Sequence, residues 1–176
     1  MRGFTLLEIL VSVLILGFIF GAIYGVLNVG NIIFREDITL VQLQQQGRQA
    51  MSWMVKEIRK SKPSEITLTE GNTEISFNIP PEAYGDPWAG PISYYRDIND
   101  ANSDGVQDQI IREYPAGTWK ILGNDITTLS FSLSGNLVEI QLAAKKTVQD
   151  RELCFPVLYC NDTSKTLKEK VKLRNE

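Results

Sequence analysis

Few side chains in this 176-residue chain could do chemistry together, and most of those that could are acids. Glu8 stands just before a long apolar run that begins at Ile9, and residues 9–34 carry no formal charge. A carboxylate at the centre of a membrane helix costs about 2.5–3.5 kcal/mol on insertion scales, and less near an end. Glu8 therefore either reaches the interface and does nothing, or waits for a positive partner. Such a pairing would be strong in a low dielectric.

A second acidic constellation lies between two expected strands. From Asp100 it reads D-x-N-x-D-G-x-x-D. Oxygen donors at alternate positions, with a glycine for the sharp turn, suit a hard cation such as Ca2+. Asp100, Asn102, Asp104 and Asp108 would be ligands, with the Val106 carbonyl as a fifth. The twelfth position is Ile111, so the bidentate glutamate of an EF-hand is missing. The same Asx-rich Asp-Gly sequence also makes a plain hairpin turn. Any bound Ca2+ would be structural, neutralising crowded carboxylates. Arg96 and Arg112 flank the loop and can pair with it.

Cys154 and Cys160 are the only cysteines. In a domain facing outside the cytosol a close pair reads as a disulfide; the alternative is two reduced, buried thiols. There is no histidine. That removes Ser-His and Cys-His nucleophile pairs and His-containing zinc sites. Glu57, Glu65, Asp125 and Glu139 read as acids on solvated faces with no visible partner, and Trp53, Trp88 and Trp119 as core or loop anchors. No catalytic constellation is left, so the chain is not expected to be an enzyme. With 18 basic and 21 acidic residues the net charge is -3, which argues against a nucleic-acid partner without excluding a local basic patch.

These groups must be positioned by few elements. The apolar run is long enough to cross a bilayer, which takes about 20 residues. A cleaved secretory signal is the rival, but it expects a shorter apolar region and a clearer small-residue cleavage site. A retained helix is preferred. Arg2 before it, with Arg35, Glu36 and Asp37 after it, points to a cytoplasmic N-terminus. The helix is expected to continue to about residue 61, where Pro63 stops it. Leu40, Leu43, Gly47, Met51, Met54 and Ile58 form its apolar stripe. Beyond Pro63 the pattern alternates with period two, over 66–68, 75–79, 92–95, 109–114, 129–133 and 137–142, with a short last strand at 171–173. Ser134-Gly135-Asn136 marks a hairpin, and 149–165 reads as irregular. The layout is α+β, a long helix packed on antiparallel sheet.

Gly3-Phe4-Thr5-Leu6-Leu7-Glu8-Ile9-Leu10-Val11 resembles the prepilin cleavage and methylation motif of type IV pilins and type II secretion pseudopilins. The resemblance implies a pilin-like fold and processing by a membrane prepilin peptidase. Carried over, the cut falls after Gly3, Phe4 is N-methylated, and Glu8 is the assembly acid that meets the new Phe4 amine of another subunit. Gln44 to Met51, Val55 to Lys60, the alternation around Leu129 and Val138, and the closing Val171-Lys172-Leu173 are similar to J-type minor pseudopilins and PilW-like minor pilins. Residues 1–3 would then be a leader, 4–34 the transmembrane and assembly half of the helix, and 35–176 an extracytoplasmic domain. The implied partners are other minor and major pseudopilins or pilins, prepilin peptidase, the inner-membrane assembly platform and the bilayer. The rival of another class is a single-pass, membrane-anchored calcium-binding domain that never assembles.

Overall fold

The computed structural model describes residues 5–69, 71–80, 89–100, 103, 105–148, 151–156 and 166–174. Its residues fall into two compact units, Met1–Ile38 and Thr39–Glu176. One α-helix, α1 (Leu6–Ile58), contributes to both.

In the first unit α1 is apolar around its whole circumference and exposed. Leu6, Phe18 and Val26 are 82%, 73% and 73% accessible. An 18-residue window reaches a mean hydropathy of 2.6 with none of it buried. The 29 residues from Leu6 to Phe34 rise about 43 Å at 1.5 Å each, more than the roughly 30 Å of a hydrocarbon core. Water cannot be the intended solvent of such a surface.

In the second unit the same helix becomes amphipathic. Leu43, Gly47, Ala50, Met51, Met54 and Ile58 are buried, the expected stripe plus Ala50, and Leu40 is half-buried. Gly47 is needed for packing: a Cβ there would lie 2.6 Å from Cε1 of Phe155. The helix ends at Ile58, three residues before the expected end, and a 3-10 turn at Pro63–Glu65 leads into the sheets.

The strands are β1 (Ile66–Leu68), β2 (Glu74–Ile79), β3 (Ala89–Asp97), β4 (Gln109–Glu113), β5 (Trp119–Gly123), β6 (Ile126–Ser134), β7 (Leu137–Val148), β8 (Arg151–Phe155) and β9 (Leu167–Lys172). The first sheet runs β1-β2-β3-β4-β5, and the second runs β6-β7-β8 with β9 also on β7. All pairings are antiparallel. β6 and β7 form the expected hairpin, with Ser134 opposite Leu137 and Gly135 at φ +60°. The sheets are stitched by Phe131 N–H to Asn72 O and Ile126 N–H to Asp108 O, both 2.8 Å. The inward residues of both sheets, including Phe77, Tyr94, Phe131, Ile140 and Val171, share one core with the helix stripe.

Two strands depart from the sequence reading. β5 was not expected, because Trp119, Lys120 and Ile121 are all exposed and show no alternation of burial. β8 lies inside the stretch read as irregular. It buries only Leu153 and Phe155, too short a pattern to stand out before β7 pairs with it.

Candidate assembly helix and acidic loop

Thr5 opens α1. Its carbonyl accepts the N–H groups of Glu8 at 3.0 Å and Ile9 at 3.3 Å, and its Oγ1 lies 3.4 Å from the Glu8 nitrogen. Thr5-Leu6-Leu7-Glu8 thus has the S/T-x-x-E spacing of a capping box, with Glu8 at the third helical position. An acid there also faces the positive end of the helix dipole. Sequence reasoning treated Glu8 only as a membrane carboxylate. The three-residue spacing from Thr5 was the signal for this second, local role. Ser12 Oγ donates to the Glu8 carbonyl at 2.7 Å, closing the first exposed turns on themselves. Gly3 and Phe4 lie outside the described residues.

The acidic loop is the β3–β4 connection. Asp108 N–H donates to Asp97 O at 2.6 Å and closes its base. Both carboxylate oxygens of Asp100 accept from the Gly105 N–H, at 3.1 and 3.0 Å. Asp100, Ser103, Gly105 and Asp108 all have positive φ, the conformation that Asp, Asn and Gly tolerate best. Arg96 forks onto Asp108 Oδ1 through Nε at 3.2 Å and Nη2 at 2.6 Å, and its Nη1 reaches Thr127 O at 2.6 Å. Arg96 therefore ties the loop base to β6, across a cleft of about 420 Å³ lined by Tyr95, Arg96, Thr128 and Ser130. Of the expected cation ligands, Asn102 and Asp104 lie outside the described residues. Asp100 is engaged by Gly105, and a cation at Asp108 would share it with Arg96. Among the described residues, no three His, Cys, Asp or Glu side chains gather as a metal site.

Arg112 does not join the loop. Tyr94, Arg112 and Lys120 are cross-strand neighbours in one row beneath α1. Arg112 meets Glu57 through Nε at 2.9 Å and Nη2 at 3.1 Å, and Tyr94 Oη donates to Glu57 Oε2 at 2.5 Å. Burial first, then the hydrogen bond and charge of Glu57, push the Tyr94 hydroxyl well above its ordinary pKa. Burial alone would lower Arg112, but Glu57 more than offsets it and the guanidinium is raised. Lys120 Nζ sits 3.8 Å from the ring centroid of Trp53.

The reading of four acids as partnerless is thus corrected. Besides Glu57, Asn78 donates to Glu65, Lys146 pairs with Asp125 at 2.8 Å, and Glu139 takes Gln141 Nε2 at 2.9 Å with Lys170 at 3.7 Å. Apart from Gln141, which lies two residues from Glu139 on the same face of β7, each partner is distant in sequence or on another strand, so only the fold reveals it. Cys154 is on β8, with no free thiol among the described residues; Cys160 lies outside them.

Residues 1–24 match the prokaryotic N-terminal methylation motif. With the long apolar helix on antiparallel sheets, this makes the chain type IV pilin-like in its N-terminal signal and its layout. No curated protein and no solved structure matches it.

Proposed function

We propose that the chain is a minor pseudopilin, a structural and non-catalytic subunit of the tip or assembly-priming complex of a type II secretion pseudopilus. In this reading it waits in the inner membrane with its N-terminus cytoplasmic and its domain outside. Prepilin peptidase cuts after Gly3 and methylates Phe4. The apolar half of α1 then leaves lipid for a bundle of like helices, where Glu8 meets a Phe4 amine. The observation that carries the reading is the methylation motif at 1–24 on a helix whose apolar circumference is exposed. The same observation supports a minor pilin of a type IV pilus, and secretion or pilus genes beside this one would separate the two.

Two further parts belong to the proposal. Cys154 and Cys160 close a disulfide at the end of β8, and the acidic loop takes Ca2+ as a structural ion through Asp100, Asn102, Asp104, the Val106 carbonyl and Asp108. The latter rests on donor chemistry and on the turn that Gly105 closes on Asp100.

Mass spectrometry of the mature chain tests the main reading. The expected N-terminus is N-methylated Phe4; an intact Met1 would sink it and favour an anchored domain that never assembles. Glu8→Ala is expected to leave cleavage intact and to reduce filament incorporation or methylation.

A further inference from the structure

The cleft of about 420 Å³ between the first sheet and β6 has no part in the function proposed above. Its volume is that of a small-ligand pocket. Thr73 and Glu74, where β2 begins, face Tyr95 on β3 and Thr128 to Ser130 on β6 across it. Most of its charge is spent. Arg96 holds Asp108 and the Thr127 carbonyl, and Asp97 is buried and engaged. Glu74 is the charge left over among the described residues. The other polar groups are neutral: the hydroxyls of Thr73, Thr128 and Ser130, and the edge of β6. Phe131 N–H leaves that edge for Asn72 O, and Thr127 O accepts from Arg96 there. Leu129, between them, therefore presents its own N–H and C=O to the cleft.

An aromatic strip continues the cleft across the outer face of the first sheet. Tyr94, Arg112 and Lys120 face α1, so Tyr95, Ile121 and Trp119 face away from it. The Trp119 side chain hydrogen-bonds the Tyr95 hydroxyl. Trp119 and Ile121 are each 44% exposed. Lys120, the cation of β5, is turned to the other face and sits on Trp53, so β5 adds no charge to the strip. A single exposed aromatic is ordinary and calls for no ligand. Trp119 differs because it is tied to a tyrosine that lines a polar cleft two strands away.

We propose that the cleft and the Tyr95–Trp119 strip bind a neutral oligosaccharide. A pyranose ring pairs an apolar C–H face with hydroxyls that both donate and accept. The two aromatic rings take such faces. Glu74 and the Leu129 C=O accept hydroxyl protons, while the Leu129 N–H and the hydroxyls of Thr128 and Ser130 supply bonds in the other direction. An anionic ligand would meet Glu74, with Arg96 already committed. A peptide added as a strand has little edge to use. The bonds at Thr127 and Phe131 close β6 four residues apart, roughly 13 Å, and leave one residue's pair of backbone bonds between them. The inference goes beyond the processing and tip roles and does not require cleavage at Gly3.

The test uses full-length chain in micelles of a polyoxyethylene detergent, whose headgroup carries no sugar. Maltohexaose, cellohexaose and chitohexaose are titrated by calorimetry up to about 10 mM, the range of weak specific binding. At least one is expected to give a saturable heat, with an affinity that holds between about 0.05 and 0.5 M salt because the ligand is uncharged. Trp119→Ala and Glu74→Gln should each weaken it about tenfold, and Trp119→Phe should keep most of it. If Trp119→Ala fails to fold, a chain with Trp53→Phe and Trp88→Phe leaves Trp119 as its one tryptophan, and a saturable change in its fluorescence reads the same contact. No saturable heat with any of the three overturns the proposal, as does binding indifferent to Trp119→Ala and Glu74→Gln, or a Trp119 signal that no saccharide moves. Binding of a Ser/Thr-rich peptide in place of every saccharide overturns it too, and assigns the cleft to a polypeptide. Loss of Phe4 methylation with saccharide binding retained would strike the pseudopilin reading alone.

Discussion

Glu57→Ala is expected to be among the most damaging single substitutions in the second unit. Glu57 accepts two bonds from Arg112 and one from Tyr94, and the side chains of Glu57 and Arg112 are only 14% and 15% exposed. Removing one partner of a buried pair costs about 3–5 kcal/mol, chiefly by stranding the other charge. Slight exposure places this case at the lower end, near 3 kcal/mol, with the Tyr94 hydroxyl also losing its acceptor. For a unit of this size that is roughly a 10 °C fall in Tm. Urea unfolding of the Thr39–Glu176 unit, followed by tryptophan fluorescence, measures it as a lower midpoint at unchanged slope. Replacing the whole network by Glu57→Leu, Arg112→Met and Tyr94→Phe should return stability to within about 1 kcal/mol of the parent, because no charge is left stranded. A single-variant loss below about 1 kcal/mol, or a triple variant as weak as the single, would refute the reasoning.

Gly47→Ala should destabilise by about 1–2 kcal/mol, since overpacking against Phe155 outweighs the better helix propensity; Phe155→Leu should restore most of it in thermal melts. Tyr94 holds its proton more tightly folded than unfolded, so its contribution is complete below about pH 10 and falls as pH rises from there towards the higher folded value. Denaturation across alkaline pH should show that decline in the parent and a smaller one in Tyr94→Phe. Millimolar Ca2+ should stabilise the second unit by about 0.5–1.5 kcal/mol for a site of extracellular affinity, read as a higher melting temperature, and Asp104→Ala should remove the gain. No shift with the parent chain would remove the calcium claim.

Some of this was legible in the chain because its signals are local. The membrane-length run, the Gly3-Phe4-Thr5-Leu6-Leu7-Glu8 motif, the helix stripe at three- and four-residue spacing, and the Gly135-Asn136 hairpin each depend on residues within a turn or two. β8 was missed because two buried side chains make no period. Glu57 looked solvated because its partner is 55 residues away.

By itself, then, the sequence determined the α+β layout and the N-terminal processing signal, since both are carried by contiguous hydrophobic pattern and short motifs. Only the tertiary structure decided which charges meet. Strand register puts Arg112 and Tyr94 under Glu57 and gives Arg96 rather than Arg112 to the acidic loop. Coulomb energy depends on distance in space, and that distance is set by how the strands pair, not by how far apart the residues are along the chain.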